Sequence, residues 1–321
     1  MNHFQRYLSD EFAEDYQEGR LSRRDALKLI ASVTGNLILA NSILAACAPP
    51  AEETQIVGAT QDSSPTEPSQ AAPGAADSSS SSPAAYGTAM PDDPAVITGE
   101  VEIPTDSPPL MGYLARPSVE ASVPVVLVCH ENRGLTPHIQ DVTRRFARAG
   151  YVSLGVDLVS RYGGSAAAGE GSVPGILGGI EPDQFVADFL AGWRYLQAQS
   201  FAQADRVGMT GFCFGGGVTW TVATHMPELR AAVPFYGPPP PVDEVPNIQA
   251  PVLAIYGGLD GRITGTIPAI EQAMQANNKV YEKLIYPNAD HAFNNDSGSR
   301  YNPEAARDAW NQTLAWFEKY L

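Results

Sequence analysis

The sequence is poor in cysteine and in basic side chains. It has three cysteines in 321 residues, too few for the disulfide framework of a small secreted scaffold. Lysine and arginine together number 20 against 36 acidic residues, which gives a formal net charge of −16. This acidic excess argues against a nucleic-acid partner and against electrostatic attraction to anionic membranes. Any attachment to a membrane would therefore have to come from a lipid.

The sequence also lacks the recognisable metal-binding and nucleotide-binding motifs. Glu131 follows His130, and His138 lies nearby, but this spacing is not the H-E-x-x-H pattern of a zinc protease. No internal repeat occurs along the chain. We therefore expect neither a metal nor a cofactor.

Residues 1–47 have the pattern of an export signal. Arg23 and Arg24 form a twin-arginine motif, and an apolar run interrupted by Ser, Thr and Asn follows them. Such mild hydrophobicity suits a twin-arginine signal better than a membrane anchor. The run ends in Leu-Ala-Ala-Cys, which resembles a lipobox with Cys47 as the lipidated N-terminus of the mature protein. We expect an exported protein of the cell envelope, lipid-anchored at the outer face of the cytoplasmic membrane or periplasmic.

The rest of the chain divides into a tether and one large domain. Residues 48–94 are rich in Ser, Ala, Pro, Glu and Asp and are expected to be a disordered tether, because they bury too little apolar surface to fold. In residues 95–321, apolar strand-like segments alternate with helical ones. This alternation predicts an α/β domain with a mostly parallel sheet of about 7–8 strands, flanked by helices on both faces. The two leading strands, near 96–103 and 111–116, are predicted to be antiparallel.

The most informative motif is Gly-Phe-Cys-Phe-Gly at residues 211–215, between an apolar strand and a helix. A strand, a tight turn and a helix with a nucleophile at the apex make a nucleophile elbow. The glycines two residues either side of Cys213 let the strand and the helix pass where a Cβ would clash. The alternative is a buried structural cysteine in a glycine-rich turn. Cys129, inside an apolar strand, is interpreted in that second way, as a small core residue.

A base and an orienting acid follow Cys213 in the chain order of α/β hydrolases. Asp260 and His291 each come just after a predicted strand, and open α/β sheets place their sites at such strand ends. Asp290 competes with Asp260 for the orienting role, but it adjoins His291 and would normally point elsewhere. His225 is interpreted as a partly exposed helix residue. The predicted triad is Cys213, Asp260 and His291.

The three motifs around Cys213, Asp260 and His291 together resemble those of the dienelactone hydrolases (carboxymethylenebutenolidases), cysteine-dependent members of the α/β-hydrolase superfamily. The resemblance covers about residues 96–321. It implies the α/β-hydrolase fold and hydrolysis of a small ester or lactone through a thioester intermediate. It also favours a monomer that acts on a small molecule.

The resemblance assigns further residues around the nucleophile. The His-Glu-Asn-Arg-Gly motif after an apolar strand implies that Glu131 contacts the resting thiol and helps to deprotonate it when substrate arrives. The backbone N–H groups of Asn132 and Phe214 would then form the oxyanion hole. Tyr236, at the end of a predicted strand, is a candidate substrate contact.

The resemblance also implies how the substrate is held. Arg161 matches a family arginine that binds a substrate carboxylate through paired hydrogen bonds. The family's second such arginine lies four residues after the catalytic histidine, where this chain has Asn295. Arg300 is a nearby substitute, but nothing in the sequence places it in the site. This departure puts dienelactone itself in doubt as the substrate and leaves ester or lactone hydrolysis standing.

Two other functions remain open at this point. The scaffold could serve an esterase that acts on a different acyl or polymer substrate, such as a cell-wall ester. It could also serve a catalytically inactive surface lipoprotein that binds a ligand. An inactive relative would usually have lost a member of the triad, and the sequence retains all three.

Overall fold

The structure is a computed structural model that describes residues 1–46, 87–106 and 108–321. Its centre is one eight-stranded sheet in the order β1-β2-β4-β3-β5-β6-β7-β8. The strands are β1 (Val96–Ile103), β2 (Leu110–Pro117), β3 (Val123–Cys129), β4 (Val152–Val156), β5 (Ala202–Phe212), β6 (Ala231–Phe235), β7 (Val252–Gly257) and β8 (Tyr281–Tyr286). Strand β2 pairs antiparallel with β1 and β4, and all other neighbours are parallel. The predicted α/β-hydrolase sheet with its antiparallel start is confirmed.

Helices cover both faces of this sheet. They are α1 (His3–Gln17), α2 (Arg23–Thr34), α3 (Leu37–Ala46), α4 (Pro137–Arg148), α5 (Ser165–Ala168), α6 (Val173–Gly178), α7 (Pro182–Gln197), α8 (Phe214–His225), α9 (Gly261–Thr264), α10 (Ile267–Ala276) and α11 (Pro303–Tyr320). A Cβ on Gly208 would meet Phe317 of α11, whereas a Cβ on Gly211 would meet Thr219 of α8. Residues three apart in a strand face opposite ways, so α11 and α8 lie on opposite faces of β5.

The inner parallel strands are continuous apolar runs because helices cover them on both sides. Every residue of β4, β6 and β7 is buried. Fully buried parallel strands are rich in β-branched and other apolar residues, as in the Val-Pro-Val-Val-Leu-Val-Cys sequence of β3. Because these strands are parallel, their carboxyl ends meet at one edge of the sheet, and the loops after β3, β5, β7 and β8 lie together there.

The N-terminal residues form three helices that pack on the α/β domain. Helix α1 starts with a capping box, in which Asn2 and Gln5 each accept a hydrogen bond from the other's backbone N–H. Phe4 and Leu8 of α1 are fully buried. Helix α2 lies on α6, where Val33 would contact any Cβ placed on Gly178. Among the described residues, no helix is both long and apolar enough to cross a bilayer.

The predicted tether is only partly within the described chain. Cys47 and residues 48–86 lie outside the described residues. Ala89, however, is fully buried, and its backbone N–H donates to Asp141 of α4 at 2.7 Å. The chain is thus attached to the domain several residues before position 94, where the sequence had placed the end of the tether.

Candidate active site

Cys213 stands at a strained turn between β5 and α8. Its backbone has φ 58° and ψ −120°, which an L-residue adopts only where the surrounding structure enforces it. A Cβ on Gly211 would lie 2.2 Å from the carbonyl oxygen of Gly215, and a Cβ on Gly215 would lie 2.4 Å from that of His130. Both flanking glycines are therefore required by close backbone approach, as the elbow motif predicts.

Asp260 and His291 meet at the same edge of the sheet. The Nδ1 atom of His291 lies 2.6 Å from a carboxylate oxygen of Asp260, and both side chains are almost fully buried. Burial favours the neutral acid, but the hydrogen bond and charge of His291 outweigh it and hold the pKa of Asp260 below its usual value. Asp290 instead accepts a hydrogen bond from the backbone N–H of His291 at 2.7 Å. The orienting acid of the pair is thus Asp260.

The thiol and the imidazole are within reach of each other, and helix α1 lies directly against them. The Cys213 sulfur, a ring nitrogen of His291 and a carboxylate oxygen of Glu11 all lie within 4.8 Å of one another. The Tyr7 hydroxyl is 3.3 Å from the sulfur and 3.4 Å from Nε2 of His291. Thiolate, imidazole and carboxylate are also the ligand types that zinc binds, so these three side chains could hold a metal.

The environment of Cys213 keeps it in the thiol form. Burial and the negative charges of Glu11 and Glu131 raise its pKa well above the usual value. Hydrogen bonds from the Tyr7 hydroxyl and from the backbone N–H of Phe214 act in the opposite direction but are outweighed. The Phe214 amide, at the first turn of α8, thus lies near the sulfur. Its role in an oxyanion hole stays a prediction.

The carboxylate that contacts the thiol is not the one expected. Glu11 of α1 lies 3.5 Å from the sulfur. Glu131, predicted in this role, instead accepts a hydrogen bond from Asn295 at 2.7 Å and acts on the thiol through its charge. Asn295 stands where the family has an arginine, so a neutral amide takes its place beside Glu131. The side chain of Asn132 is held by Glu11 at 2.9 Å.

The structure separates the two predicted substrate contacts. Arg161 makes paired hydrogen bonds of 2.8 and 2.7 Å to Asp188 and lines a surface cavity of about 540 Å³ with Gln184. The guanidinium is therefore paired with a buried carboxylate on α7. This arrangement does not support the prediction that Arg161 binds the substrate carboxylate. Tyr236 is buried, with its ring centroid 5.1 Å from that of His291 and a positive φ of 35°. It lies at the triad.

Sequence reasoning missed four residues at the site. Tyr7 and Glu11 contact the triad, and Glu14 accepts a hydrogen bond at 3.0 Å from Arg262, whose guanidinium lies 4.6 Å from the centre of the Tyr7 ring. Three of the four belong to residues that read as an export signal. The sequence pattern that could have identified the three on α1 is a helical spacing that places several side chains on one face: Phe4, Tyr7, Leu8, Glu11 and Glu14.

Comparisons with known proteins agree with this geometry. The dienelactone hydrolase family model matches residues 110–321. A protein of Escherichia coli O157:H7 that carries the name carboxymethylenebutenolidase is 36% identical over 248 residues, covering 72% of this chain and 89% of its own length. A protein of Bradyrhizobium named as a 2-oxo-3-(5-oxofuran-2-ylidene)propanoate lactonase is 33% identical and covers 69% of this chain and 94% of its own length.

Solved structures give the same result. The crystal structure of a dienelactone hydrolase from Klebsiella pneumoniae superposes with a TM-score of 0.66 at 36% identity, covering 70% of this chain and 100% of that one. With an elbow cysteine, a paired aspartate and histidine, and these relatives, the chain belongs to the dienelactone hydrolase family of the α/β-hydrolase superfamily.

Proposed function

We propose that this chain hydrolyses a small carboxylic ester or lactone through a thioester on Cys213. The observation that carries the proposal is the arrangement of three groups at one sheet edge. A thiol at a strained elbow lies within 4.8 Å of a ring nitrogen of His291, and Nδ1 of His291 is 2.6 Å from a carboxylate oxygen of Asp260. This is the order of nucleophile, base and orienting acid that acyl transfer requires.

In this mechanism His291 takes the proton of Cys213, and the thiolate attacks the acyl carbonyl carbon. A carbon–sulfur bond forms, and the carbonyl oxygen becomes an oxyanion between the backbone N–H groups of Asn132 and Phe214. Each donor of such a hole contributes roughly 3–4 kcal/mol to transition-state stabilisation. The carbon–oxygen bond to the leaving group then breaks, and His291 gives its proton to the leaving oxygen. Water attacks the thioester, releases the acid and restores the thiol.

Hydrolysis of phenyl acetate and of simple lactones by the purified chain tests this function. Because Cys213 is only 3% exposed, the assay uses the full chain both intact and after cleavage at a protease sequence inserted between residues 79 and 80. We expect Cys213→Ala to lower kcat/KM by at least about a thousandfold, since the loss of a triad nucleophile leaves only binding and the oxyanion hole. Quenched reactions should show one acyl group on the peptide that contains Cys213.

Cys129→Ala is the matched control, since Cys129 lies buried in β3 and has no place in the chemistry. It should hydrolyse esters at the rate of the unmodified chain. Full activity in Cys213→Ala would contradict the thioester mechanism.

We further propose that residues 1–47 direct export and that Cys47 carries a lipid. Two features support this: the sequence pattern, and the exposure of Arg23 and Arg24 at the start of α2, where a receptor can reach them. In a bacterial host, Arg23→Lys with Arg24→Lys should leave the chain in the cytoplasm, and Cys47→Ala should remove the lipid mass. An unchanged distribution in the double variant would contradict export by the twin-arginine route.

A further inference from the structure

Helix α1 fills an aromatic pocket beside the nucleophile. The Phe4 ring packs against Phe185 of α7 and Phe214 of α8, with ring centroids 5.3 and 5.0 Å apart. A Cβ on Gly217 of α8 would approach the same ring to 3.0 Å, so the glycine leaves room for Phe4 there. Phe4 and Leu8 are both fully buried by these contacts. Helix α1 thus packs into an apolar pocket of the catalytic domain that matches its side chains in shape.

The polar residues on the same face of α1 reach the catalytic groups. The Tyr7 hydroxyl contacts both the Cys213 sulfur and Nε2 of His291. One turn further, Glu11 accepts a hydrogen bond from the Asn132 side chain at 2.9 Å. The helix therefore contacts the nucleophile, the base and the residue expected to serve the oxyanion hole.

These contacts exclude a substrate. Attack requires the carbonyl carbon to lie about 3–3.5 Å from the sulfur, with the leaving oxygen near the imidazole. The Tyr7 hydroxyl occupies this position, at 3.3 and 3.4 Å from the two atoms. Cys213 and His291 are 3% and 2% exposed with the helix in place. Helix α1 and an ester cannot occupy the site together.

Departure of the helix would also change the state of the thiol. Burial and the charge of Glu11 are the two largest causes that raise the pKa of Cys213. The charge of Glu11 and the part of the burial that α1 provides are removed when the helix leaves, whereas the hydrogen bond lost from Tyr7 has a smaller opposing effect. The open site therefore holds more thiolate at neutral pH, and the thiolate is the nucleophile.

The segment can leave without breaking the sheet. All eight strands come from residues 96–286, and residues 1–46 are helical wherever they are regular. They contact the domain through side chains and through isolated hydrogen bonds, such as the one of 2.9 Å from Gln5 Nε2 to the carbonyl oxygen of Gly178. The family model matches residues 110–321, so the part of the chain that it covers does not include these helices.

We propose that the active-site mouth is a binding site for the amphipathic helix α1, which keeps the enzyme latent until residues 1–46 are removed. The inference rests on the thiol-hydrolase function proposed above and adds its regulation. The ligand is a helical segment of this same chain that presents a phenylalanine, a tyrosine and a glutamate at positions 4, 7 and 11. The twin arginines are exposed while this helix is buried, so the segment can be recognised while the site is closed.

Alkylation of Cys213 by iodoacetamide tests the proposal without requiring turnover. The thiolate displaces iodide from the reagent and forms a carbon–sulfur bond, and peptide mass mapping reports each cysteine separately. The full chain with the protease sequence between residues 79 and 80 is compared intact and after cleavage and removal of the N-terminal fragment. We expect Cys213 to react at least about 100-fold faster in the cleaved chain, since two fully buried apolar side chains hold the helix in place.

A synthetic peptide of residues 1–21, added back to the cleaved chain, should slow alkylation again. The same peptide with Phe4→Ala and Tyr7→Ala should not. Two variants of the intact chain give an independent readout that does not require cleavage. Phe4→Ala should speed alkylation of Cys213, whereas Ile38→Ala, at a side chain that is 81% exposed, should leave it slow.

Equal alkylation rates in the intact and cleaved chains would overturn the proposal, and so would a cleaved chain that the peptide fails to protect. These outcomes differ from failure of the proposed function. A cleaved chain whose thiol reacts quickly and is protected by the peptide, but which hydrolyses none of the esters, would support the helix-binding site and refute the hydrolase.

Discussion

The catalytic domain and the N-terminal helices are both well packed, but they depend on each other in different ways. Phe189 in α7 and Phe4 in α1 are equally buried. The domain, however, has one sheet whose strands all lie between residues 96 and 286, while the N-terminal helices add no strand to it. We expect the domain to fold around its own sheet, and we expect access to Cys213 to depend on the segment.

The largest effect should come from a change that disables the domain and leaves the segment untouched. Asp260→Asn keeps the shape of the side chain but removes the charge that orients His291 and stabilises its protonated form. We expect kcat for ester hydrolysis by the cleaved chain to fall by about 10³–10⁴-fold, as for other triads that lose this acid. Asp290→Asn is the control and should stay within a few-fold of the unmodified chain, because the Asp290 carboxylate meets the backbone N–H of His291 and the guanidinium of Arg20.

The next effect separates the stability of the two regions. Phe189→Ala should lower the free energy of unfolding of the whole domain by about 3–5 kcal/mol, the usual result of emptying a core phenylalanine site. Phe4→Ala removes a ring of the same size, but we expect it to loosen α1 and leave the main thermal transition in place. Hydrogen exchange of the amides in α1 and in the sheet measures the two effects separately. If Phe4→Ala also exposed the amides of β5, the two regions would be one cooperative unit.

A smaller effect tests the electrostatic link between the regions. Glu11 raises the pKa of Cys213, so Glu11→Gln should lower it. The midpoint of the alkylation rate against pH in the intact chain should move to lower pH by about one unit, which corresponds to about 1.4 kcal/mol. Glu18→Gln, at the exposed end of α1, should not move the midpoint. A shift to higher pH in Glu11→Gln would contradict the assigned sign.

The smallest effect belongs to the domain alone. Hydrogen bonds from His138 and Arg145 hold the pKa of Asp296 below its usual range. A depressed carboxyl pKa stabilises the fold above the unfolded value near 3.9, and that stability is lost as pH falls through the folded value. Asp296→Asn should therefore reduce the difference in unfolding free energy between pH 6 and pH 3 by about 1 kcal/mol. This value is small because the Asp296 side chain is partly exposed and solvent screens its charge. Denaturant unfolding at both pH values measures it, and Asp205→Asn is the surface control.

The sheet and the meeting of Cys213, Asp260 and His291 could be predicted because both follow from local rules. Glycines at 211 and 215 define the elbow, and Asp260 and His291 each follow a strand, so parallel pairing brings them to one edge. The resemblance supplied Arg161 without its partner, since Asp188 is 27 residues later in the chain and nothing in the spacing shows that the two are paired. Asn295, noted as a departure, proved to be the partner of Glu131.

The role of α1 could not be predicted, for a different reason. Tyr7 and Cys213 are 206 residues apart, and no spacing rule connects residues that far apart. The helical face of α1 was visible in principle, but an export signal also explains an apolar N-terminus. The sequence pattern therefore led to the export prediction and gave no indication of the contacts with Cys213 and His291.

Arg262 has a practical consequence for any assay of the opened enzyme. Its guanidinium now stacks on the Tyr7 ring and donates to Glu14, and both partners leave with α1. A cation two residues beyond Asp260, close enough to lower the pKa of that carboxyl, then loses both partners. We expect phosphate and citrate buffers to slow turnover relative to a zwitterionic buffer of equal ionic strength, and Arg262→Gln to lose that sensitivity.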